Sequence, residues 1–298
     1  MERIAALQKI AYEFEVNPIV AILGPRQCGK TTTAKQYISQ LHGIAPENYF
    51  DLENSRDLER LKDPLLTLSA LSGLIVIDEI QYVKELFPTL RVLIDDTQLN
   101  QRYLILGSAS GELLNQSSET LAGRISYVEL DPFSFEEIND LSSLWLRGGF
   151  PKSILASSDA ISYSWRKAFI KTFLEKDIPK LGITIPSENL RRFWMMLAHY
   201  QGNIFNASEI GSALGLSDKT IKNYLDILAN TFMVRILKPW HENIQKRQVK
   251  SPKIIIRDSG IFHNLIGVNR VGELLINPKL GASWECLSYA RKLCTAIN

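Results

Sequence analysis

The chain has 298 residues, 45% of them hydrophobic and 22% charged, with a formal net charge of +2. This composition is that of an ordinary globular protein, long enough for two hydrophobic cores. Residues 1–18 mix Glu and Arg with apolar residues, unlike a secretory signal, and the longest nearly apolar run, 65–77, is shorter than the about 20 residues that cross a bilayer. Three cysteines without metal-ligand spacing argue against disulfides and structural zinc. We therefore expect a cytoplasmic protein.

The first strong pattern is a short apolar run at 19–23, then a glycine-rich loop, then a segment with helical spacing. The loop, GPRQCGKT at 24–31, matches the phosphate-binding pattern G-x-x-x-x-G-K-[ST], known as Walker A. Its glycines let backbone N–H groups surround a phosphate, and the helix N-terminus adds positive potential. A plain structural turn is the alternative. We predict binding of ATP with magnesium (Mg2+) by Gly24, Pro25, Arg26, Gln27, Cys28, Gly29, Lys30, Thr31 and Thr32.

Particular roles follow for two of these side chains. Lys30 would reach the β- and γ-phosphates, and the Thr31 hydroxyl would bind the metal. A second apolar run, 74–77, ends in Asp78 and Glu79, in the manner of a Walker B strand. In P-loop enzymes an Asp at this place holds the magnesium shell, and a following Glu orients and deprotonates the attacking water. The alternative is a strand that ends in two solvated acids.

A third apolar run ends at Ser108, and a fourth begins directly after Arg124. This order resembles the core of AAA+ ATPases. The resemblance implies that Ser108 senses the γ-phosphate and that Arg124 enters the ATP site of a neighbouring subunit. Without the resemblance, Ser108 is a hydrogen-bonding residue at a strand end and Arg124 forms a surface salt bridge.

The motifs also resemble one particular prokaryotic family of AAA+ ATPases, through GPRQCGKT, LIVIDEIQ at 74–81, LILGSAS at 104–110, LAGR at 121–124, LDPFSFEEI at 130–138 and GGFP at 148–151. Cys28 stands where that family often has Val. Members carry a C-terminal domain of unknown function that begins with a winged helix and continues into a restriction-endonuclease-like module. The sequence ends at Asn298, before the strands that carry the nuclease residues, and Glu285 alone is read as a helix-surface residue. We expect no nuclease activity.

The predicted fold is therefore α/β, a P-loop AAA+ core with a parallel sheet, followed by a helical lid and a winged-helix domain. Arg166 and Arg191 are candidates for a lid arginine, with ordinary surface charge as the alternative. The predicted domains are the AAA+ core at 1–147, the lid or linker at 148–200, the winged helix at 201–270 and the start of a truncated C-terminal module at 271–298.

Residues 206–230 have the pattern of a helix-turn-helix, with Asn206 capping the first helix and Ser217 or Asp218 capping the second. The second helix would expose Lys219, Lys222 and Asn223, residue types that contact phosphates and base edges. Residues 235–257 carry a local charge of +6, from seven Lys or Arg against Glu242 alone. We predict contact with double-stranded DNA through Lys219, Lys222, Asn223, Lys246, Arg247, Lys250 and Lys253, with protein docking or a merely solvated loop as the alternatives.

Three functions are compatible with these patterns. The first is an ATP-hydrolysing switch or motor, active as a homo-oligomer because Arg124 would act in a neighbouring subunit. The second is a nucleotide-gated binding regulator with little turnover. The third, a P-loop kinase for a small molecule, is the weakest, because Glu79 beside Asp78 suits activation of water and no arginine-rich lid for an acceptor phosphate is evident.

Overall fold

A computed structural model describes residues 1–83, 85–108, 119–238 and 251–295, with side chains described up to residue 288. The chain divides into two compact units, Met1–Asp131 and Pro132–Asn298. In the part that is described, no helix is both long enough and apolar enough to cross a membrane.

The first unit contains a five-stranded parallel sheet in the order β2-β3-β4-β1-β5. Its strands are β1 (Ile19–Leu23), β2 (Tyr49–Asp51), β3 (Gly73–Asp78), β4 (Gln101–Gly107) and β5 (Ile125–Glu129). Its helices are α1 (Ile4–Val16), α2 (Lys30–Gln40), α3 (Ser55–Arg60), α4 (Pro64–Ser69) and α5 (Leu86–Asp95), with 3-10 turns at Pro46–Asn48 and Ile80–Tyr82.

Burial explains why the central strands β1, β3 and β4 are nearly continuous apolar runs in the sequence. All five residues of β1 are buried, as expected for a parallel strand covered on both faces of its sheet. Helix α1 packs Leu7, Ile10 and Phe14 into the core that contains Val20 and other strand residues. Since parallel strands have their carboxyl ends at one edge of the sheet, the residues that follow β1, β3 and β4 are brought together there.

The second unit is mainly helical, with one antiparallel pair of strands. Its helices are α6 (Phe135–Ile138), α7 (Leu141–Arg147), α8 (Pro151–Ile154), α9 (Asp159–Thr172), α10 (Ile178–Lys180), α11 (Ser187–His199), α12 (Ala207–Leu214), α13 (Asp218–Asn230), α14 (Ser259–Leu265), α15 (Val271–Leu275) and α16 (Leu280–Thr295). A π-helical segment, Phe173–Asp177, joins α9 to α10, and β6 (Val234–Leu237) pairs with β7 (Lys253–Ile256).

The expected pair of capped helices is present in this unit. The Asn206 side chain accepts a hydrogen bond from the Glu209 backbone N–H, and the Ser217 side chain accepts one from that of Thr220. Gly215 ends α12 in the left-handed conformation, which glycine adopts without a steric cost. Helix α13 buries Ile221, Leu225 and Leu228.

The Gly-Gly-Phe-Pro segment lies inside the second unit, where it forms a tight junction. The Gly149 N–H donates to Asp258 Oδ2 at 2.8 Å, and the Ile261 N–H donates to Oδ1 of the same carboxylate at 2.8 Å. A Cβ atom on Gly148 would lie 2.2 Å from Asp258 Oδ1, and one on Gly149 would lie 2.2 Å from the Phe133 carbonyl oxygen. Gly149 is therefore required by close backbone packing, and Gly148 is favoured by its φ of 74° and by the nearby Asp258 carboxylate.

The position of Arg166 differs from both expectations drawn from the sequence, a lid arginine and a surface charge. It is neither a surface charge nor a lid arginine, because its side chain is completely buried within the second unit. Its Nη1 donates to the carbonyl oxygens of Leu146, at 2.9 Å, and Gly260, at 2.8 Å. Burial lowers the pKa of this guanidinium to about 10, so it stays charged at neutral pH and ties α7 and α14 together through α9.

Candidate functional site

The predicted phosphate loop connects β1 to α2 as the sequence motif requires. Gly29 precedes α2 with a φ of 104°, a left-handed conformation that favours glycine. The other motif glycine is needed for a different reason, because a Cβ on Gly24 would lie 2.2 Å from the carbonyl oxygen of Leu130. Cys28 Sγ also donates to that oxygen, at 3.3 Å. The loop is thus packed against the residue that follows β5.

Lys30 lies at the start of α2 and is 5% exposed. Its ammonium donates to the carbonyl oxygens of Gly24 and Pro25, each at 3.0 Å. The positive charge is therefore held inside the curve of the loop, at a helix N-terminus that itself favours anions. Phosphate oxygens can replace these two neutral acceptors, since a charged acceptor makes the stronger hydrogen bond.

The remaining loop residues differ in environment. Arg26 forms a 3.0 Å ion pair with Glu53, which follows β2. Gln27 has a φ of 63°, an uncommon value for a residue with a side chain. Thr32 is exposed on the first turn of α2. The pairing of Arg26 is a feature that the sequence did not predict, because Glu53 is distant in the chain.

Asp78 meets Thr31 directly, as expected from their predicted metal-binding roles. Thr31 Oγ1 donates to Asp78 Oδ2 at 2.8 Å, and the Tyr49 hydroxyl donates to the same oxygen at 3.1 Å. Burial and the neighbouring Asp78 raise the pKa of Tyr49, so its hydroxyl remains a donor. Asp78 is 4% exposed, and among the described residues its Oδ1 has no hydrogen-bond partner. A buried carboxylate oxygen without a donor, beside a hydroxyl, is the donor set that magnesium prefers.

Glu79 follows Asp78 with a φ of 57°, a strained value for a residue that is not glycine. Burial raises the pKa of its carboxyl group, while Lys30 and a hydrogen bond from Gln81 act in the opposite direction. Gln81 Nε2 donates to Glu79 Oε2 and, at 3.0 Å, to Ser108 Oγ. The Ser108 hydroxyl also donates to Glu79 Oε2, at 3.4 Å. The predicted base and the predicted sensor are therefore in contact.

Arg124 lies at the other edge of the sheet. It directly precedes β5, whose first residue, Ile125, is in register with Ile19 at the start of β1. The length of β1 places it about 15 Å along the strands from the phosphate loop. There it makes a bidentate ion pair with Asp95, with distances of 2.6 and 3.0 Å. Arg124 therefore cannot contact phosphates bound by its own loop.

Sequence reasoning missed Tyr49 and Gln81 as members of this site. Tyr49 is in β2, and its contact with Asp78 depends on the pairing of β2 with β3. Gln81 is part of the LIVIDEIQ motif, and it returns to Glu79 only because residues 80–82 form a 3-10 turn. A polar residue two positions after a strand-end acid is the signal that could have indicated it.

The predicted nucleic-acid residues lie in the second unit. Lys219, Lys222 and Asn223 are exposed on α13. Lys253 differs, because its ammonium forms an ion pair with Glu285, so its charge is already compensated. Glu285, which the sequence places on a helix surface, lies on α16 and is partly exposed. Three further predicted residues, Lys246, Arg247 and Lys250, lie outside the described residues.

Comparisons with known proteins agree with this geometry. Residues 16–139 match the family described as an AAA domain, and residues 138–271 match a domain of unknown function, DUF8612. A solved Walker-type ATPase of Pyrococcus abyssi superposes with a TM-score of 0.62, covering 89% of this chain and 95% of its own, at 16% identity. The chain is a P-loop AAA+ protein with a C-terminal domain of unknown function.

Two curated relatives extend the comparison. The AAA+ chain is 48% identical over 288 residues to an uncharacterized protein of Mycobacterium tuberculosis, which covers 96% of this chain. It is 25% identical over 295 residues to an uncharacterized protein of Haemophilus influenzae, with 88% of this chain and 72% of the relative covered. The chain spans 64% of the length of the mycobacterial relative.

Proposed function

We propose that this AAA+ protein binds ATP with magnesium and hydrolyses it to ADP and phosphate. The observation that carries the proposal is the convergence at one sheet edge of Lys30, the Thr31–Asp78 contact and Glu79. Glu79 is a second, partly buried acid directly after Asp78, placed to activate water, a step that nucleotide binding alone does not require. Ser108 donates a hydrogen bond to Glu79 and, as the proposed sensor, would also contact the γ-phosphate, so it would connect the acid to that phosphate.

Each side chain has a defined task in this proposal. Lys30 exchanges the carbonyl oxygens of Gly24 and Pro25 for β- and γ-phosphate oxygens. Thr31 and Asp78 would hold magnesium, which would neutralise charge on the phosphates when bound. Glu79 orients the attacking water and takes its proton, and the raised pKa of its carboxyl group makes it a stronger base.

Two substitutions test the roles of the lysine and the acid. Lys30→Ala should weaken ATP binding and abolish turnover, because the main side-chain charge on the phosphates is lost. Glu79→Gln keeps the size but loses the base, so ATP should bind with unchanged affinity while kcat falls by about 10³-fold. Fluorescent-nucleotide titration and steady-state phosphate release measure the two effects.

Lys35→Ala is the matched control, since Lys35 is exposed on the same helix as Lys30. Normal hydrolysis by Lys30→Ala would contradict the proposal. Wild-type protein that binds ATP but releases no phosphate above the Glu79→Gln background would instead support the rival function, a nucleotide-gated regulator with little turnover.

We further propose that the second unit contacts double-stranded DNA, through α13 in a winged helix. The exposure of Lys219, Lys222 and Asn223 on one helix of a capped pair, followed by the antiparallel strands β6 and β7, supports it. The +6 charge of the segment 235–257 adds an attraction for phosphates that does not depend on base sequence. Because Lys253 is already paired with Glu285, α13 is better supported than Lys253 as the surface that contacts DNA.

Replacing both Lys219 and Lys222 by Gln should weaken duplex binding. The log-log slope of affinity against salt should fall by about two units, one for each lost phosphate contact. The control is the double replacement of Lys167 and Lys171, two exposed lysines on α9. If the wild-type protein shows no salt-sensitive binding to duplex DNA, the helix pair is better interpreted as a protein-docking module.

A further inference from the structure

The Gln81 side chain forms hydrogen bonds within the site, and neither its sequence motif nor the residue roles proposed above explain them. It lies in the 3-10 turn Ile80–Tyr82, which begins where Glu79 adopts its left-handed backbone conformation. The Tyr82 N–H donates to the Glu79 carbonyl oxygen at 3.1 Å and closes this turn. The strained backbone of Glu79 is what allows a side chain two residues later to fold back onto its own carboxylate.

The hydrogen bonds fix the orientation of the Gln81 amide. Its NH2 group faces the Glu79 carboxylate, which only accepts, and it also donates to Ser108 Oγ at 3.0 Å. A flipped amide would place its oxygen against the carboxylate, which is repulsive. Both amide hydrogens are thus engaged by the predicted base and the predicted sensor.

This orientation directs the Gln81 carbonyl oxygen away from both partners. Oε1 is buried, and among the residues that the structure describes it accepts no hydrogen bond. Buried acceptors are nearly always satisfied in folded proteins, and at a candidate active site a donor that arrives during function is one physical reason for an unsatisfied acceptor. The acceptor belongs to the same amide that holds Glu79, and a water molecule about to lose its proton to Glu79 is such a donor.

We propose that Gln81 is a positioning residue for hydrolysis, which holds the Glu79 carboxylate and the Ser108 hydroxyl through its amide NH2 and orients the attacking water through its amide oxygen. This inference rests on the proposed ATPase function. In that reaction the water oxygen attacks the γ-phosphorus, the bond to the β-phosphate oxygen breaks, and the water proton passes to Glu79. Gln81 forms no covalent bond and transfers no proton.

The decisive variants are Gln81→Met and Gln81→Glu. Methionine keeps the length of the side chain but removes every hydrogen bond. Glutamate keeps an acceptor oxygen but replaces the NH2 donor by a second negative charge beside Glu79. For Gln81→Met we expect kcat to fall by about 10²-fold while the Kd for ATP stays within threefold of wild type. For Gln81→Glu we expect a kcat at least as low, because the anchor to Glu79 is lost.

A buried glutamine with a structural role provides the control. Gln101 donates to the carbonyl oxygens of Leu68 and Leu71 at 2.7 Å each, and it lies at the start of β4, away from the strand ends that form the site. Gln101→Met should lower the melting temperature and leave the kcat of the folded protein unchanged. Gln81→Met should show the opposite pattern, with turnover lost and the melting temperature little changed.

The outcomes separate this inference from the proposed function. Wild-type protein without turnover would defeat the proposed function itself. Wild-type turnover together with a Gln81→Met kcat within threefold of it would overturn the role of Gln81 alone. If Gln81→Met fails to fold, Gln81→Glu decides the matter through the same comparison of kcat and Kd, and a kcat close to wild type again overturns the inference.

Discussion

At the scale of single residues, the Asp78 carboxylate has one oxygen held by two hydroxyl groups and one buried oxygen that accepts no hydrogen bond from any described residue. This asymmetry predicts the effect of Asp78→Asn, because an amide is a poorer ligand for magnesium. The magnesium concentration that supports half-maximal turnover should rise more than tenfold, while nucleotide binding in EDTA stays unchanged. Titration of phosphate release with magnesium measures it.

The control for this change is Asp96→Asn, at an exposed carboxylate just after α5. An unchanged magnesium requirement in Asp78→Asn would contradict the assignment of Asp78 as a metal ligand.

His263 gives a second prediction at this scale, about stability. The ring is completely buried, with Nδ1 3.1 Å from the Leu146 carbonyl oxygen and Nε2 2.6 Å from Ser283 Oγ. The carbonyl oxygen only accepts, so Nδ1 carries the proton and Nε2 accepts from Ser283, which satisfies a neutral ring. Burial lowers the pKa of His263 to about 4.

The sign of the pH dependence follows from this lowered pKa. The unfolded chain takes up a proton on His263 near pH 6.5, and the folded chain does not. The contribution of His263 to the free energy of unfolding is therefore full above pH 6.5 and is lost as the pH falls toward 4. The loss amounts to about 3 kcal/mol. Urea unfolding at several pH values should show that the free energy of unfolding declines less steeply with falling pH in His263→Gln than in wild type. Equal slopes would contradict the prediction.

At the scale of elements, the junction of α7 and α14 is packed so closely that it tolerates no side chain. A Cβ on Gly260 would lie 2.1 Å from the carbonyl oxygen of Arg147, a backbone atom that cannot move aside easily. Gly260→Ala should therefore destabilise the second unit by about 2 kcal/mol. Thermal or urea unfolding would measure this change.

Gly272, in α15, is the matched control, since a Cβ there meets nothing within 4 Å among the described residues. Gly272→Ala should leave stability unchanged or raise it slightly, because alanine favours the helix. A Gly260→Ala protein as stable as Gly272→Ala would mean that α7 and α14 can separate without cost.

At the scale of the whole molecule, we propose that activity requires self-association. Arg124 precedes β5, at the edge of the sheet opposite the phosphate loop, and is paired with Asp95 on the surface. An arginine supplied by a neighbouring subunit can raise phosphoryl-transfer rates by roughly 10³ to 10⁵. Specific activity should therefore rise with protein concentration, and Arg124→Ala should bind ATP without turning it over.

Mixing two inactive proteins is the sharper measurement. A Glu79→Gln subunit has an intact Arg124, and an Arg124→Ala subunit has an intact Glu79, so their mixture should regain some activity at shared interfaces. Arg102→Ala, at an exposed arginine of β4, is the control for general loss of surface charge. A mixture that co-assembles and stays inactive would identify Arg124 as a structural residue.

The sequence by itself determined the α/β class and the order of strand, loop and helix around residues 24–31, whereas the roles of Lys30, Thr31, Asp78 and Glu79 stay predictions. The fold was predictable because the physics behind it is local. Glycine at fixed spacing permits one loop conformation, apolar runs indicate buried parallel strands, and such strands deliver their carboxyl ends to one edge. The capped pair α12 and α13 was predictable for the same reason, since the capping side chain and the backbone N–H that it accepts from lie within four residues of each other.

Only the tertiary structure decided which distant groups meet. Arg166 looks like a surface charge on an amphipathic helix, yet it is buried where carbonyl oxygens from α7 and α14 converge. Gln81 contacts Glu79 and Ser108 because the backbone of Glu79 is left-handed and Ser108 directly follows β4, the strand beside β3. The physical reason is that burial and hydrogen-bond partners depend on contacts far apart in the chain, which periodicity and spacing do not encode.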